Sequence, residues 1–307
     1  QKTSFELGVR LVVSEMCIRD SVPSATIDGI QTHYEIIGDG PPLLMFSPGG
    51  FDATFDKWSN LGVYSRIKLL DYLPEKYRCI VFDRRETGQS GGRVEELTWA
   101  HYVRQGKGLL DHLGVRQAHL FGGCMGCCPV LAFAVEYPEV TLSMVLFWPV
   151  GGAHFRIRGH ERFAMHRAFV QENGLGGVVE LAKTTDAGFG KDPRIGPWAP
   201  VIRRDREFAA RYTAFDVAEY KEIIERLPRN LMDRDTVPGT EPEHLIGLTT
   251  PALIVPGRDI AHATSAAWYL EECLPSSQYW DVLPDDLSEA NAPARIIRFL
   301  DSITGEE

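Results

Sequence analysis

The residues most suited to chemistry in this chain lie in the run Gly122-Gly123-Cys124-Met125-Gly126-Cys127. A short apolar segment, His119-Leu120-Phe121, precedes it, and a helix-like stretch from Pro129 to Tyr137 follows. The pattern is strand, Gly-x-nucleophile-x-Gly, helix, with Cys124 at the nucleophile position. A strand that turns into a helix within a few residues leaves no room for flanking side chains, which is why glycines stand there. The central residue is forced into a strained backbone conformation. Its side chain then projects from the sheet edge at the positive end of the next helix. A thiol so placed is shifted toward thiolate and needs a partner base less than a serine hydroxyl does. The plain alternative for Cys124 is a small buried hydrophobe.

Such a turn needs a sheet and a helix to hold it, and the chain supplies both. Ala25 to Ile37 alternates like a strand and is broken by Asp28-Gly29, a hairpin signal. Leu43-Leu44-Met45-Phe46 reads as a buried strand ending in the glycine-rich loop Ser47-Pro48-Gly49-Gly50-Phe51. A helix is expected to close over Ile67 to Leu73, before Pro74, and a strand over Cys79 to Phe82. Leu97 to Leu113 has a helical pattern, and Met144 to Trp148 reads as the next strand. Alternation then stops for about ninety residues, far beyond ordinary connections. This region, Gly151 to Leu248, is rich in helix formers and arginine and is expected to be an inserted helical cap. Alternation resumes with a strand at Ala252 to Val255 and a helix from Thr264 to Leu274. A strand at Gln278 to Leu283 and a helix from Pro293 to Leu300 complete it. Alternating strands and helices imply an α/β fold with a mostly parallel sheet flanked by helices. The expected organisation is an α/β core over 22–150 and 249–307 with the cap at 151–248.

Composition narrows the function classes. The 307 residues carry a net charge of -10, which argues against a nucleic-acid partner. Hydrophobic residues make up 44% and charged residues 24%, ordinary values for a soluble domain. No stretch approaches the roughly 20 apolar residues of a membrane span. Cys124, Cys127 and Cys128 crowd together, unlike a secreted disulfide framework, so reduced thiols and a cytoplasmic setting are expected. Cys124-x-x-Cys127 also fits a redox or zinc half-site, but no second Cys or Cys/His pair stands near it. No metal and no cofactor is expected. Residues 1–21 lack an initiator Met, and Val13 to Ser21 resembles translated sequencing-adapter DNA of metagenomic assemblies; the segment, with Cys17, is read as a non-native extension.

Taken in order, the motifs resemble the α/β-hydrolase-fold superfamily from Ala25 to Ile303. Ser47 to Phe51 stands where the family has its oxyanion loop, and Asp83 to Ser90 resembles its Asp-x-Arg-x-x-Gly-x-Ser segment. Gly122 to Gly126 resembles its nucleophile elbow, and Asp259, after the penultimate strand, stands where it places the catalytic acid. The elbow and the Gly257-Arg258-Asp259 turn are locally similar to proline-iminopeptidase-type members. The chain departs from the family in two ways. Cys replaces the usual Ser, as in dienelactone-hydrolase-like members. No His follows His262, so the loop after the last strand, Leu283 to Asn291, cannot supply the usual base.

The resemblance implies a backbone N–H of Met125 as one oxyanion donor and one near Gly50 or Phe51 as the other. His262, three residues after Asp259, is the candidate surrogate base, with a surface or capping histidine as its plain reading. Asp259 alone reads equally as a turn or capping residue. His154, His160 and His166 are spaced by six, which spreads them around a helix rather than toward one metal. His119 reads as structural, and His33, His101, His112 and His244 as exposed or satisfied in the core. Asp83, Arg84 and Arg85 read as loop-holding charge pairs. Trp148 and Phe51 are candidate pocket lining, with core packing as the alternative. The function expected is cofactor-independent hydrolysis of a small ester, lactone, amide or related acyl substrate through Cys124. A non-catalytic ligand-binding protein and a non-hydrolytic lyase or cyclase stay open. The partner is a small molecule, and a homodimer stays open.

Overall fold

The computed structural model describes residues 23–305. The reading of residues 1–21, and Cys17 with it, lies outside the described residues. Strands β1 (Ser24–Ile27) and β2 (Ile30–Ile37) form the hairpin around Asp28-Gly29. Both turn residues have positive φ, 52° and 70°, which matches the twist of the flanking strands. Then follow β3 (Pro42–Phe46), β4 (Arg78–Phe82), β5 (Ala118–Gly123), β6 (Thr141–Phe147), β7 (Ala252–Val255) and β8 (Ser277–Tyr279). The sheet order is β1-β2-β4-β3-β5-β6-β7-β8. The β1–β2 and β2–β4 pairs are antiparallel, and all the others are parallel.

The central strands are apolar throughout because both faces are covered. Leu44, Phe46, Ile80, Phe82, Leu120 and Leu146 face one core. Their alternates Leu43, Met45, Val81, Phe121, Val145 and Leu253 face the other. On the first face lie α4 (Trp99–His112) and α5 (Cys127–Glu136); on the second lies the final helix, Ala292–Thr304.

Two expected elements differ. Instead of one helix closing at Leu73, the chain forms α1 (Lys57–Asn60), α2 (Gly62–Ile67) and α3 (Leu69–Tyr72). Lys68, at φ 49°, breaks the last two apart. The strand expected at Gln278 to Leu283 shortens to β8 and one further bond, from Trp280 N–H to the Ile254 carbonyl. Its neighbour β7 runs into Pro256-Gly257, and proline offers no N–H to continue a ladder.

Between β6 and β7 the chain is helical. It comprises α6 (Ala153–Lys183), α7 (Ala199–Arg204), α8 (Arg206–Thr213), α9 (Val217–Leu231) and α10 (Pro242–Ile246). Asp205 and Asp216 cap α8 and α9 by accepting backbone N–H bonds. Tyr220, Ile224, Leu227 and Leu231 give α9 its buried stripe, packed against α6. Helix α10 packs instead on α5 and on α11 (Thr264–Cys273). The final helix, Ala292–Thr304, is α12. Among the described residues no helix is long and apolar enough to cross a membrane.

The junction of β5 and α5 tolerates no added atoms. A Cβ on Gly126 would lie 2.2 Å from the Phe46 carbonyl oxygen, and one on Gly122 2.6 Å from that of Gly126. Gly126→Ala is therefore expected to destabilise the protein by about 3 kcal/mol in urea unfolding. Gly190→Ala, whose Cβ would meet nothing within 4 Å, should stay within about 0.5 kcal/mol. Equal unfolding midpoints for the two variants would contradict this packing.

Candidate active site

Cys124 stands at the end of β5 with φ 53°, a left-handed conformation that a side chain adopts only under constraint. The constraint is visible. The glycines on either side allow the close approach just described, and the buried Tyr64 hydroxyl secures the backbone. That hydroxyl donates to the Phe147 carbonyl at 3.3 Å, and the Cys124 backbone N–H acts electrostatically on its oxygen. Trp148, which follows Phe147, is also left-handed, at φ 54°. One phenol thus joins the ends of β5 and β6 at their two strained positions.

The Cys124 side chain is partly exposed and opens into a cavity of about 490 Å³. Met125, Gly49, Gly50 and Phe51 line the same cavity. Its opposite wall comes from the helical insert, through Phe155, Phe189 and Met232. Phe51 packs edge to face on Phe163 and on Phe189, each at 5.3 Å, and those two rings pack tilted at 5.0 Å, joining the Gly49–Phe51 loop to the insert.

Burial works against a charged Cys124, but the net effect is a thiol pKa below the ordinary value. The His262 imidazolium favours the thiolate, aided by the backbone N–H groups of Gly49 and Met125. Neighbouring Cys127 and Cys128 share the burial without such partners, and their pKa values lie well above the ordinary range. Cys127 donates its S–H to the Gly122 carbonyl at 3.1 Å. Among these neighbouring thiols, then, the imidazole and the two amides single out Cys124.

His262 comes from the loop after β7. Its Nδ1 lies 2.8 and 2.9 Å from the two Asp259 carboxylate oxygens. Asp259 Oδ1 also accepts the backbone N–H groups of Ala261 and His262, so acid and imidazole form one tight turn. An ionised carboxylate only accepts, so Nδ1 carries the proton and Nε2 faces Cys124. Nε2 makes no hydrogen bond of regular geometry among the described residues, and Cys124 is the group whose charge couples to it. Burial disfavours the imidazolium, yet the thiolate and the carboxylate outweigh it and push its pKa up to about 10. The hydrogen bond to His262, against some burial, holds Asp259 at about 2, although half of that side chain is exposed.

Other candidates fall elsewhere. The Trp148 ring stands 5.6 Å from that of His262 and backs the imidazole rather than lining the cavity. Gly50 and Phe51 line the cavity, and the amide of Gly49 in the same loop favours the Cys124 thiolate. His154, His160 and His166 share α6, with His166 buried against Tyr220 at 2.6 Å and its pKa lowered by burial to about 4. His119 is buried against Ser143 at 2.8 Å. Asp83 pairs with His33 at 2.9 Å and Arg85 with Glu86. Arg84 is different: its guanidinium lies 4.7 Å over the Tyr102 ring and makes no hydrogen bond among the described residues. Gly49 belongs to the loop read as the oxyanion loop, one residue before the positions named, whereas Tyr64 carried no readable signal, since its contacts depend on tertiary packing.

A family model described as the alpha/beta hydrolase fold matches residues 42–169. The structure is also similar to MGS-M2, an alpha/beta hydrolase enzyme from a Medee basin deep-sea metagenome library. That match has a TM-score of 0.60 at 18% identity and covers 93% of this chain and 98% of the other. The chain has the α/β-hydrolase fold. An enol-lactonase from Burkholderia xenovorans LB400 shares this fold, with a TM-score of 0.56 at 18% identity over 92% of this chain and 99% of the other. By sequence, 126 residues are 36% identical to a 2-hydroxy-6-oxo-6-phenylhexa-2,4-dienoate hydrolase of Comamonas testosteroni, covering 40% of this chain and 42% of the relative. A proline iminopeptidase of Xylella fastidiosa is 29% identical over 149 residues, 47% of this chain and 40% of the relative. The chain thus spans well under half the length of the curated relatives it matches. In this α/β-hydrolase fold the segment after β8 forms a short 3₁₀ turn, Pro284–Asp286, and the imidazole beside Cys124 arrives from the loop after β7.

These shifts predict how Cys124 alkylates. Iodoacetamide labelling should fall as pH drops through a midpoint below about 8.5, the value of a free thiol. His262→Gln removes the main stabiliser of the thiolate and leaves burial unopposed, so its midpoint should rise above that value. Labelling rates against pH, read by mass spectrometry, check this; matching midpoints would refute the coupling.

Proposed function

We propose that the chain is a cofactor-independent hydrolase of a small ester, lactone, amide or related acyl substrate, with Cys124 as nucleophile. The observation that carries this reading is the convergence on one sulfur of an imidazole and two backbone N–H groups, at the wall of a cavity. The Cys124 thiolate attacks the substrate carbonyl carbon and forms a C–S bond. The carbonyl oxygen becomes an oxyanion and accepts hydrogen bonds from the Met125 and Gly49 amides. The His262 imidazolium gives its Nε2 proton to the leaving oxygen or nitrogen as that bond breaks. A thioester and a neutral imidazole remain. A water then attacks the thioester while His262 takes its proton, and the C–S electron pair returns to sulfur. Acid product departs and the ion pair is restored.

Asp259 fixes the tautomer and steadies the charge on the ring. Similarity to a dienoate hydrolase over 126 residues supports hydrolysis as the reaction class. With p-nitrophenyl esters, Cys124→Ala should show no turnover above background. His262→Ala should still acylate but lose about 10²–10⁴-fold in turnover, so that a thioester mass adduct accumulates. Equal rates for wild type and Cys124→Ala would remove the hydrolase reading and favour simple ligand binding.

A further inference from the structure

The charges along the cavity wall do not cancel. Its lining includes the cations Lys57, Arg162 and Lys191 and the carboxylates Asp52 and Asp186, in a chain whose net charge is -10. Both carboxylates are engaged by other cations. Asp52 accepts from Lys57 at 2.9 Å, and Asp52 and Asp186 together face Arg203, whose guanidinium donates to the Ala182 and Ala187 carbonyls. Arg162, on α6, is half-buried, and among the described residues its guanidinium makes no hydrogen bond and no ion pair. Arg158 and Glu161, its charged neighbours on the helix, act on it in opposite senses.

A guanidinium half withdrawn from water at a cavity wall, with no partner in the protein among the described residues, has its donors open to a bound molecule. The acceptor that matches its planar fork is a carboxylate, bound through two parallel N–H bonds. We propose that Arg162 binds a carboxylate of the substrate, so that the acyl compound cleaved at Cys124 is a monoanion with its charge set apart from the scissile bond. This rests on the hydrolase reading above. Phe51, Phe155, Phe189 and Met232 line the same cavity and suit an apolar body joining the two ends. A dianion such as a phosphate fits less well, because Asp52 and Asp186 share the wall and would repel its second charge.

The test compares esters of equal chain length, mono-p-nitrophenyl adipate and p-nitrophenyl hexanoate. Wild type should favour the adipate ester by about 10-fold or more in kcat/KM, carried mainly by KM. Arg162→Met should abolish the preference by raising KM for the adipate ester, and Arg162→Lys should restore part of it. Lys191→Met should retain it. Equal treatment of the two esters by wild type overturns the inference, as does a preference that survives Arg162→Met or that is lost in Lys191→Met instead. Should neither ester be cleaved, the hydrolase reading fails, and thermal unfolding with hexanoate or hexanamide still decides the carboxylate site. Stabilisation by hexanoate alone, absent in Arg162→Met, supports it; equal shifts from both compounds overturn it.

Discussion

The left-handed backbone of Cys124 is the constraint from which the rest of the site follows. A residue with a side chain pays for that conformation, by about 1–2 kcal/mol. It is held because the surroundings leave no alternative. Gly126 abuts the Phe46 carbonyl, Gly122 abuts Gly126 and Cys127, and the Tyr64 hydroxyl, bonded to the Phe147 carbonyl at the end of β6, closes against Gly123. This bend brings the sulfur out of the sheet and under the amides of Met125 and Gly49. A relaxed backbone would return the side chain to the core, where Cys127 and Cys128 show what burial does to a thiol.

The second constraint is local. Asp259 and His262 are three residues apart, and the carboxylate binds both the imidazole and the backbone of its own turn. Gly257 lets the loop fold back, since a Cβ there would lie 2.4 Å from that of His262. The imidazole needs no support from the segment after β8. Its ring is instead backed by Trp148, whose own strained backbone adjoins the carbonyl that Tyr64 holds. Two strand ends and one loop therefore meet through a phenol, an indole and a carboxylate.

Much of this was legible in the chain because the signals are short-range. The strands around Leu43–Phe46, Cys79–Phe82 and Ala252–Val255 are apolar runs of the length a covered parallel strand needs. The elbow announces itself because its glycines and cysteine lie within five residues, and the meeting of Asp259 with His262 because they share one turn. What could not be read depends on partners distant in sequence. Tyr64 looks like any apolar helix residue until β5 and β6 are set beside it. Arg162 is one arginine among many until, among the described residues, its guanidinium proves to bond to none of its neighbours. The short helices between Lys57 and Tyr72 resist reading too, since a left-handed Lys68 has no sequence mark. Arg84 was expected in a charge pair and stacks on Tyr102 instead.

The aromatic trio of Phe51, Phe163 and Phe189 ties the two layers of the cavity together mechanically. Phe51 belongs to the loop that offers an amide to the sulfur, while Phe163 and Phe189 belong to the insert. Any outward swing of α6 that widens the entrance drags at Phe51 and slackens the loop beside it. The width of the entrance and the position of that loop are thereby coupled through the three rings.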